Sequence, residues 1–397
     1  MRAAIPNLHI TAVANSANDA SVDPHVPLSH HLVSYLTNGS KSSVLGRPVS
    51  RRLVAFGRAL RLLRAARRVA MGKAPGDLDQ DGLDGLRELT AADALFVSGA
   101  GCFNDRYATS VGAVWALVIR CMSLLRKPVI LSGQQIGPLD RWAAQVVTRW
   151  ALTPAKFAGM RDPISLRVSR ALGIPADRVG ITGDDAWDLP PAPAPVIDAL
   201  FRQADLPPRF IAAQMRIDRA TSFDSTDTVV MANILDAAAA ALGLPVVFVR
   251  MFYADQDDDL ESARRVSALM RAPTKVVEEE LDPATTKGIL ARAVIAIGVS
   301  YHFCVFAISS GTPTVGLYRN PYMIQKIRGL EEMWPGLAQG MPLDARDSAT
   351  NIGPLVSRMA QEEERAGHVP PTESVGLAPS AALESLVLSL RGPRSGL

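Results

Sequence analysis

The sequence predicts an α/β protein of two domains, each built around a parallel sheet. Three observations lead there. The chain has 397 residues, which is long for one hydrophobic core and suits two domains of roughly 180–200 residues. Short apolar runs alternate with longer helical patterns, and strands buried on both faces read that way. The stretch 289–330, ILARAVIAIGVSYHFCVFAISSGTPTVGLYRNPYMIQKIRGL, spells out a complete strand–helix–strand unit. Its polar run Gly298-Val299-Ser300-Tyr301-His302 falls where a strand at 293–297 hands over to a helix at 303–308. Open α/β sheets bind ligands at such carboxyl strand ends.

Taken in order, residues 8–14 predict a first strand, followed by a polar loop with Asn18 and Asp19, which either borders a site or forms a turn. His25, His30 and His31 lack the spacing and partners of a zinc motif, so no metal is expected. Residues 51–69 predict an amphipathic helix with an apolar stripe of Leu53, Phe56, Leu60 and Leu63 and seven arginines on the rest. A solvated face is its ordinary explanation, and contact with an anionic membrane surface is the functional one. Residues 72–85 read as a Gly/Asp-rich loop.

A strand at 94–97 opens into Ser98-Gly99-Ala100-Gly101-Cys102-Phe103-Asn104-Asp105-Arg106, whose glycines let a ligand approach the backbone. The spacing is that of neither a GxGxxG nor a Walker loop. A helix at 111–125 and a strand at 129–131 lead to a second such loop, Ser132-Gly133-Gln134-Gln135-Ile136-Gly137-Pro138. A helix at 142–150 and a strand at 156–160 follow. Arg161 and Asp162 then enter a helix that runs to 172, with Asp162 placed to cap it. Gly180-Ile181-Thr182-Gly183-Asp184-Asp185 closes this half, and the Pro/Ala-rich 190–195 marks the domain boundary, giving domains 1–190 and 191–397.

The second half restarts with a strand at 210–214 ending at Met215-Arg216, a helix at 228–242 and a strand at 246–249. An acidic helix start follows at 257–261, then a helix at 286–292 and the strand–helix–strand unit. Beyond it come Lys326 and Arg328, a charged helix from 354 and a short last helix at 380–390. Lys and Arg total 42 against 39 Asp and Glu, and a net charge of +3 is too even to argue for nucleic acid, so no nucleic-acid partner is expected. Cys102, Cys121 and Cys304 are widely spaced, which fits a reducing compartment and no disulfide framework. With no signal-like start and no run of 18 apolar residues, a cytoplasmic location is expected, peripheral to the inner membrane face if 51–69 touches it.

The motifs SGAGCFND, SGQQIGP, MRDPIS, TGDDAWDL and SYHFCVFAISSGTPTVGLY, in that order, resemble the polysaccharide pyruvyl transferase family, and Asn18-Asp19 resembles its N-terminal NxGD-like loop without the glycine. The resemblance implies a GT-B-like fold, two Rossmann-like domains facing across a cleft, with the acceptor on the N-terminal side and the donor on the side of His302. It implies transfer of the enolpyruvyl group of phosphoenolpyruvate, the donor substrate, onto a sugar or lipid-linked glycan diol, with a pyruvate ketal formed and phosphate released. No further cofactor is required. The chain departs from the family at Ser300, where an arginine often stands two residues before the histidine.

That chemistry needs a proton donor, a base and ligands for two anions. His302 is the candidate general acid, and Asp105 and Asp184 (with Asp185) are the candidate bases for sugar hydroxyls. Arg161 and Arg216 are the leading anion ligands, Lys326 and Arg328 the secondary ones. Ser300 is placed to cap the following helix and aim its N–H groups at phosphate. Tyr301 suits core packing or, as the functional reading, a sugar ring, while Gly101, Gln134, Asn18 and Asp19 line the loops. Two other readings stay open: a GT-B-like glycosyltransferase using a nucleotide sugar, and a non-catalytic family member. A homo-oligomer is left open as well.

Overall fold

The computed structural model describes residues 8–13, 26, 28–37, 43–44, 47–48, 51–99, 101–217, 223–224, 226–253, 259–344, 347–366 and 387. It divides into two compact units. The first takes in the chain up to Arg161 together with Ser165–Thr182, the second Asp162–Ile164 and the chain from Gly183 through the last long helix. The expected turn region Asn18-Asp19 and the expected helix at 380–390 lie outside the described residues.

The first unit opens with a parallel pair, β1 (Ala12–Val13) and β2 (Leu28–Ser29), then α1 (His31–Thr37) and an antiparallel pair, β3 (Ser43–Val44) and β4 (Arg47–Pro48). After α2 (Arg51–Ala70) and α3 (Gln80–Ala91) come β5 (Leu95–Val97), α4 (Val111–Leu124), β6 (Val129–Gln134), α5 (Trp142–Leu152), β7 (Phe157–Met160), α6 (Pro163–Ala171) and β8 (Val179–Ile181). The four strands β5 to β8 form one parallel sheet in sequence order. Its core includes Leu62, Phe103, Ile119, Met122 and Leu131, all fully buried. Strand β6 runs three residues past its expected end, because Ser132, Gly133 and Gln134 are buried and stay in the sheet.

One expectation fails here because helices pack closely through small residues. The expected loop at 72–85 ends in α3, where Gly82 and Gly85 are buried. A Cβ on Gly82 would stand 2.9 Å from the Tyr35 ring, and one on Gly85 2.7 Å from Leu32 Cγ, so these glycines seat α1 on α3 rather than make a turn. Helix α2 turns Ala59, Leu62, Ala65 and Ala66 inward and packs on α4. Of the apolar stripe read from the sequence, Phe56 is 63% exposed and Leu60 36%, while Leu63 packs against the core.

The second unit contains α7 (Ala194–Gln203), β9 (Ile211–Gln214), α8 (Asp227–Leu242), β10 (Val246–Phe248), α9 (Asp259–Leu269), β11 (Thr274–Val276) and α10 (Pro283–Leu290). It continues through β12 (Ile295–Gly298), α11 (Tyr301–Ser309), β13 (Thr314–Tyr318), α12 (Pro321–Met333), β14 (Ala338–Pro342) and α13 (Ser348–Ala366). All six strands are parallel, in the order β11-β10-β9-β12-β13-β14. The chain therefore winds outward one way from β9 and the other way from β12. The point between those two strands is where the order reverses, the position at which doubly wound sheets open a crevice.

The chain joins this unit ahead of the Pro/Ala-rich stretch. A 3-10 turn at Asp185–Asp188 is pinned there, with Trp187 stacked on Trp334 at 4.2 Å and 7°. Lys287 Nζ donates to the carbonyls of Trp187 (2.8 Å) and Leu189 (2.6 Å), and burial pushes its ammonium down to about 8. Residues 194–195 already belong to α7, which has Pro195 in its first turn, where the missing N–H costs nothing.

Candidate functional site

Sheet register builds the site in the second unit. Gly298 of β12 lies opposite Gln214 of β9 on one side and Gly316 of β13 on the other. Two residues further on, Arg216, Ser300 and Tyr318 leave three neighbouring strands at one level, across the point of reversal. Gly298 is required where it stands: a Cβ there would be 2.6 Å from Phe303 Cδ1, the first apolar residue of α11.

Gln214, 1% exposed, links the two halves. Its Oε1 accepts from Ser300 N at 2.9 Å, and its Nε2 donates to Asp259 Oδ2 at 2.8 Å. The same carboxylate oxygen accepts from the backbone N–H of Met251 (2.8 Å) and Phe252 (3.2 Å). Burial pushes the Asp259 carboxyl up to about 6, against the pull of Gln214, Met251 N–H and Arg216. Its other oxygen, Oδ1, is buried with no hydrogen-bond partner among the described residues. The Arg216 guanidinium lies 3.7 Å from the centre of the Phe252 ring.

Ser300 has extended backbone at the N-cap of α11 (φ −81°, ψ 130°), but its side chain makes no capping hydrogen bond. The expectation that its hydroxyl caps the helix is corrected; that hydroxyl is not folded back onto the helix it precedes. His302 is exposed in the first turn of α11, its ring edge-on to buried Tyr301 at 5.5 Å. Lys326 of α12 sits over the rings of Tyr301 (5.7 Å) and Tyr322 (4.2 Å), so its ammonium is held by aromatic faces. Arg328 is exposed on the same helix. Asp184 caps the 3-10 turn, accepting from Ala186 N at 3.0 Å. Cys304 is buried and its thiol is pushed up to about 12, which removes it as a nucleophile at neutral pH.

The remaining candidates belong to the first unit. Gly101 lies in the loop after β5, which Asn104 organises: its Nδ2 donates to Gly101 O (2.6 Å) and its Oδ1 accepts from Arg106 N (2.9 Å). Gln134, fully buried, donates to Val97 O (3.1 Å) and Ser132 O (2.8 Å), tying β5 to β6, while its Oε1 is buried without a hydrogen-bond partner among the described residues. Arg161, 5% exposed, donates from Nη2 to Gln135 Oε1 at 2.5 Å. Asp105 gives its two oxygens to the N–H groups of Asp140 (2.7 Å) and Arg141 (2.9 Å), just before α5. That is a structural use of the carboxylate and leaves it poorly placed as a base.

The structure thus gathers Arg216, Ser300, Tyr301 and His302 at one sheet edge with Lys326 beside them. Gln214, Asp259 and Asn104 are the residues that sequence reading missed. Gln214 carried a usable signal, a polar residue ending an apolar strand; Asp259 carried none beyond its helix-start position.

The sequence model of the family described as Polysaccharide pyruvyl transferase matches residues 19–321, well over half of the chain. The chain belongs to that family. No curated protein matches it. Among solved structures it is similar to UDP-GlcNAc 2-epimerase from Neisseria meningitidis bound to UDP-GlcNAc, at 12% identity over 77% of this chain and 79% of that one, TM-score 0.52. The UDP-GlcNAc 2-epimerase of Methanocaldococcus jannaschii gives 11% identity, 79% and 84% coverage and a TM-score of 0.51. That of Rickettsia bellii gives 13%, 80% and 81%, and 0.50. At such identities the likeness concerns the fold: two Rossmann-like units of GT-B-like type.

Family membership does not bring the donor with it. The expected enolpyruvyl transfer from phosphoenolpyruvate, with the pyruvyltransferase activity and that donor substrate, is corrected by these similarities, which run to UDP-sugar enzymes. The departure at Ser300 points the same way, since the arginine expected to hold an anion is absent from that position. Among the described residues no group of His, Cys, Asp or Glu is arranged to hold a metal ion, and no helix is long and apolar enough to cross a membrane.

Proposed function

We propose that this member of the family is an enzyme acting on a nucleoside-diphosphate sugar, with the diphosphate bound in the second unit at the β9/β12 junction. One observation carries the reading: Arg216 and the first turn of α11 emerge side by side at the point of strand reversal, with Gln214 fixing Ser300 N–H between them. Both elements suit a diphosphate. Helix N-terminal N–H groups and a guanidinium are the usual anion ligands, and the guanidinium here is steadied by the Phe252 ring.

The reaction class that uses such a site is glycosyl transfer. The bond from the anomeric carbon to the diphosphate oxygen breaks, the electron pair leaves with the diphosphate, and an acceptor hydroxyl supplies the new bond. Arg216 and the α11 terminus stabilise the leaving diphosphate. His302, exposed in the same turn, takes the hydroxyl proton. The solved UDP-GlcNAc 2-epimerases of similar fold support the choice of nucleotide sugar as substrate class. Calorimetric titration with UDP, with GDP and with phosphoenolpyruvate as control tests it. A nucleoside diphosphate should bind, and Arg216→Ala should weaken it by about 10- to 100-fold. Binding of phosphoenolpyruvate without either nucleotide overturns the proposal.

A further inference from the structure

Helix α2 has an outer face that no described residue of its unit covers. Its inner face is occupied: Leu62, Ala65 and Ala66 are in the core, and Arg58 turns inward to donate to Tyr35 O at 2.8 Å and pair with Asp79 at 3.6 Å. On the opposite side Phe56, Leu60, Arg64, Arg67 and Met71 succeed one another at intervals of three and four residues, a single stripe along the helix. Phe56 is 63% exposed, Leu60 36% and Met71, just past the helix end, 53%. Arg61 and Arg68 are exposed on the flank, and the helix from Arg51 to Ala70 contains no acidic residue.

We infer that this face docks on an anionic phospholipid surface, independently of the reaction proposed above. Two features select that occupant. Three large apolar side chains stand clear of the protein along the same line as two guanidinium groups, the arrangement of a helix lying in a headgroup layer with its apolar groups inserted and its cations among the phosphates. The charge is of one sign over the whole helix, so the complementary surface is negative, and each guanidinium near such a surface adds to binding. A protein partner would require a matching acidic pocket, and an oligonucleotide would have no use for Leu60 and Met71.

The full chain should co-sediment with phosphatidylcholine vesicles that contain phosphatidylglycerol and not with phosphatidylcholine alone. Raising the salt should weaken the binding. Arg64→Gln with Arg67→Gln should lower partitioning by about 30-fold, and Phe56→Ser with Leu60→Ser by about 10-fold or more. All four positions face solvent, so circular dichroism and the melting midpoint should stay those of the parent protein. No binding to anionic vesicles, equal binding to neutral ones, or binding untouched by both double variants each overturns the inference. Self-association that Phe56→Ser with Leu60→Ser abolishes, or oligonucleotide binding in place of vesicle binding, overturns it in favour of a second copy or a nucleic acid.

Discussion

Replacing Asp259 with asparagine should stabilise the second unit at neutral pH and leave that gain behind in acid. The Asp259 carboxyl is raised from 3.8 to about 6, burial being the main cause. Holding its charge at neutral pH therefore costs the fold about 3 kcal/mol. Between those two values the folded protein keeps a proton that the unfolded chain has lost. Stability accordingly falls as pH rises from about 4 to about 6, then levels off. Asparagine does not titrate, and its carbonyl can still accept from Gln214, Met251 and Phe252. Its NH2 group would take the place of Oδ1, which has no partner among the described residues, at a cost of about 1–2 kcal/mol.

The net expectation is a gain of about 1–2 kcal/mol at neutral pH and a loss of about 1–2 kcal/mol near pH 4. The difference between the two conditions, about 3 kcal/mol, does not depend on the amide penalty. Urea unfolding followed by circular dichroism at both pH values measures it; with a slope of about 2 kcal/mol per molar urea the midpoint difference should change by about 1.5 M. A difference between variant and parent that is the same at both pH values refutes the reasoning, because it would mean that Asp259 carries no buried charge.

Three other outcomes are expected. Gly298→Ala pushes a methyl group into Phe303 and should cost about 1–3 kcal/mol in denaturant unfolding, while also weakening nucleotide binding through the displaced first turn of α11. His302→Ala should lower turnover of an identified nucleotide sugar by about 10² to 10⁴-fold with the nucleotide still bound in calorimetry; unchanged turnover would remove His302 from the mechanism. Asp105→Ala should cost about 1–3 kcal/mol and leave nucleotide affinity as it was, since its oxygens serve two backbone N–H groups; a large loss of affinity with full stability would reverse that assignment.

The parts of this molecule that could be read from sequence are those fixed by local pattern. Residues 293–317 announce strand, helix and strand because buried parallel strands are continuous apolar runs, and the structure places β12, α11 and β13 within about two residues of the expected bounds. What failed depends on what lies opposite. Gly82 and Gly85 look like loop residues until Tyr35 and Leu32 are seen against them. In α2 the sequence pattern marks a helix but not which apolar residues meet α4: Ala59, Leu62, Ala65 and Ala66 do, while Phe56 and Leu60 stand outside. In the site, His302, Ser300 and Arg216 could be found as polar residues after apolar strands. The bond between Gln214 and Asp259 joins residues 45 apart and leaves no trace in either segment. The donor was misjudged because motif order identifies a family, while the choice of donor rests on individual ligands such as the one replaced by Ser300.

The stacked indoles of Trp187 and Trp334 offer a label that needs no chemistry. Two such rings 4.2 Å apart and 7° from parallel have strongly coupled electronic transitions, so their joint spectrum differs from the sum of two separate tryptophans. Trp187 belongs to the short turn that follows the chain's departure from the first unit, and Lys287 clasps the carbonyls on either side of that turn's end. Loosening of this crossover during ligand binding or catalysis would uncouple the rings before any helix or strand unwinds. The protein therefore carries an intrinsic optical gauge on the stretch of chain that leads from Gly183 into the sheet that holds the proposed site.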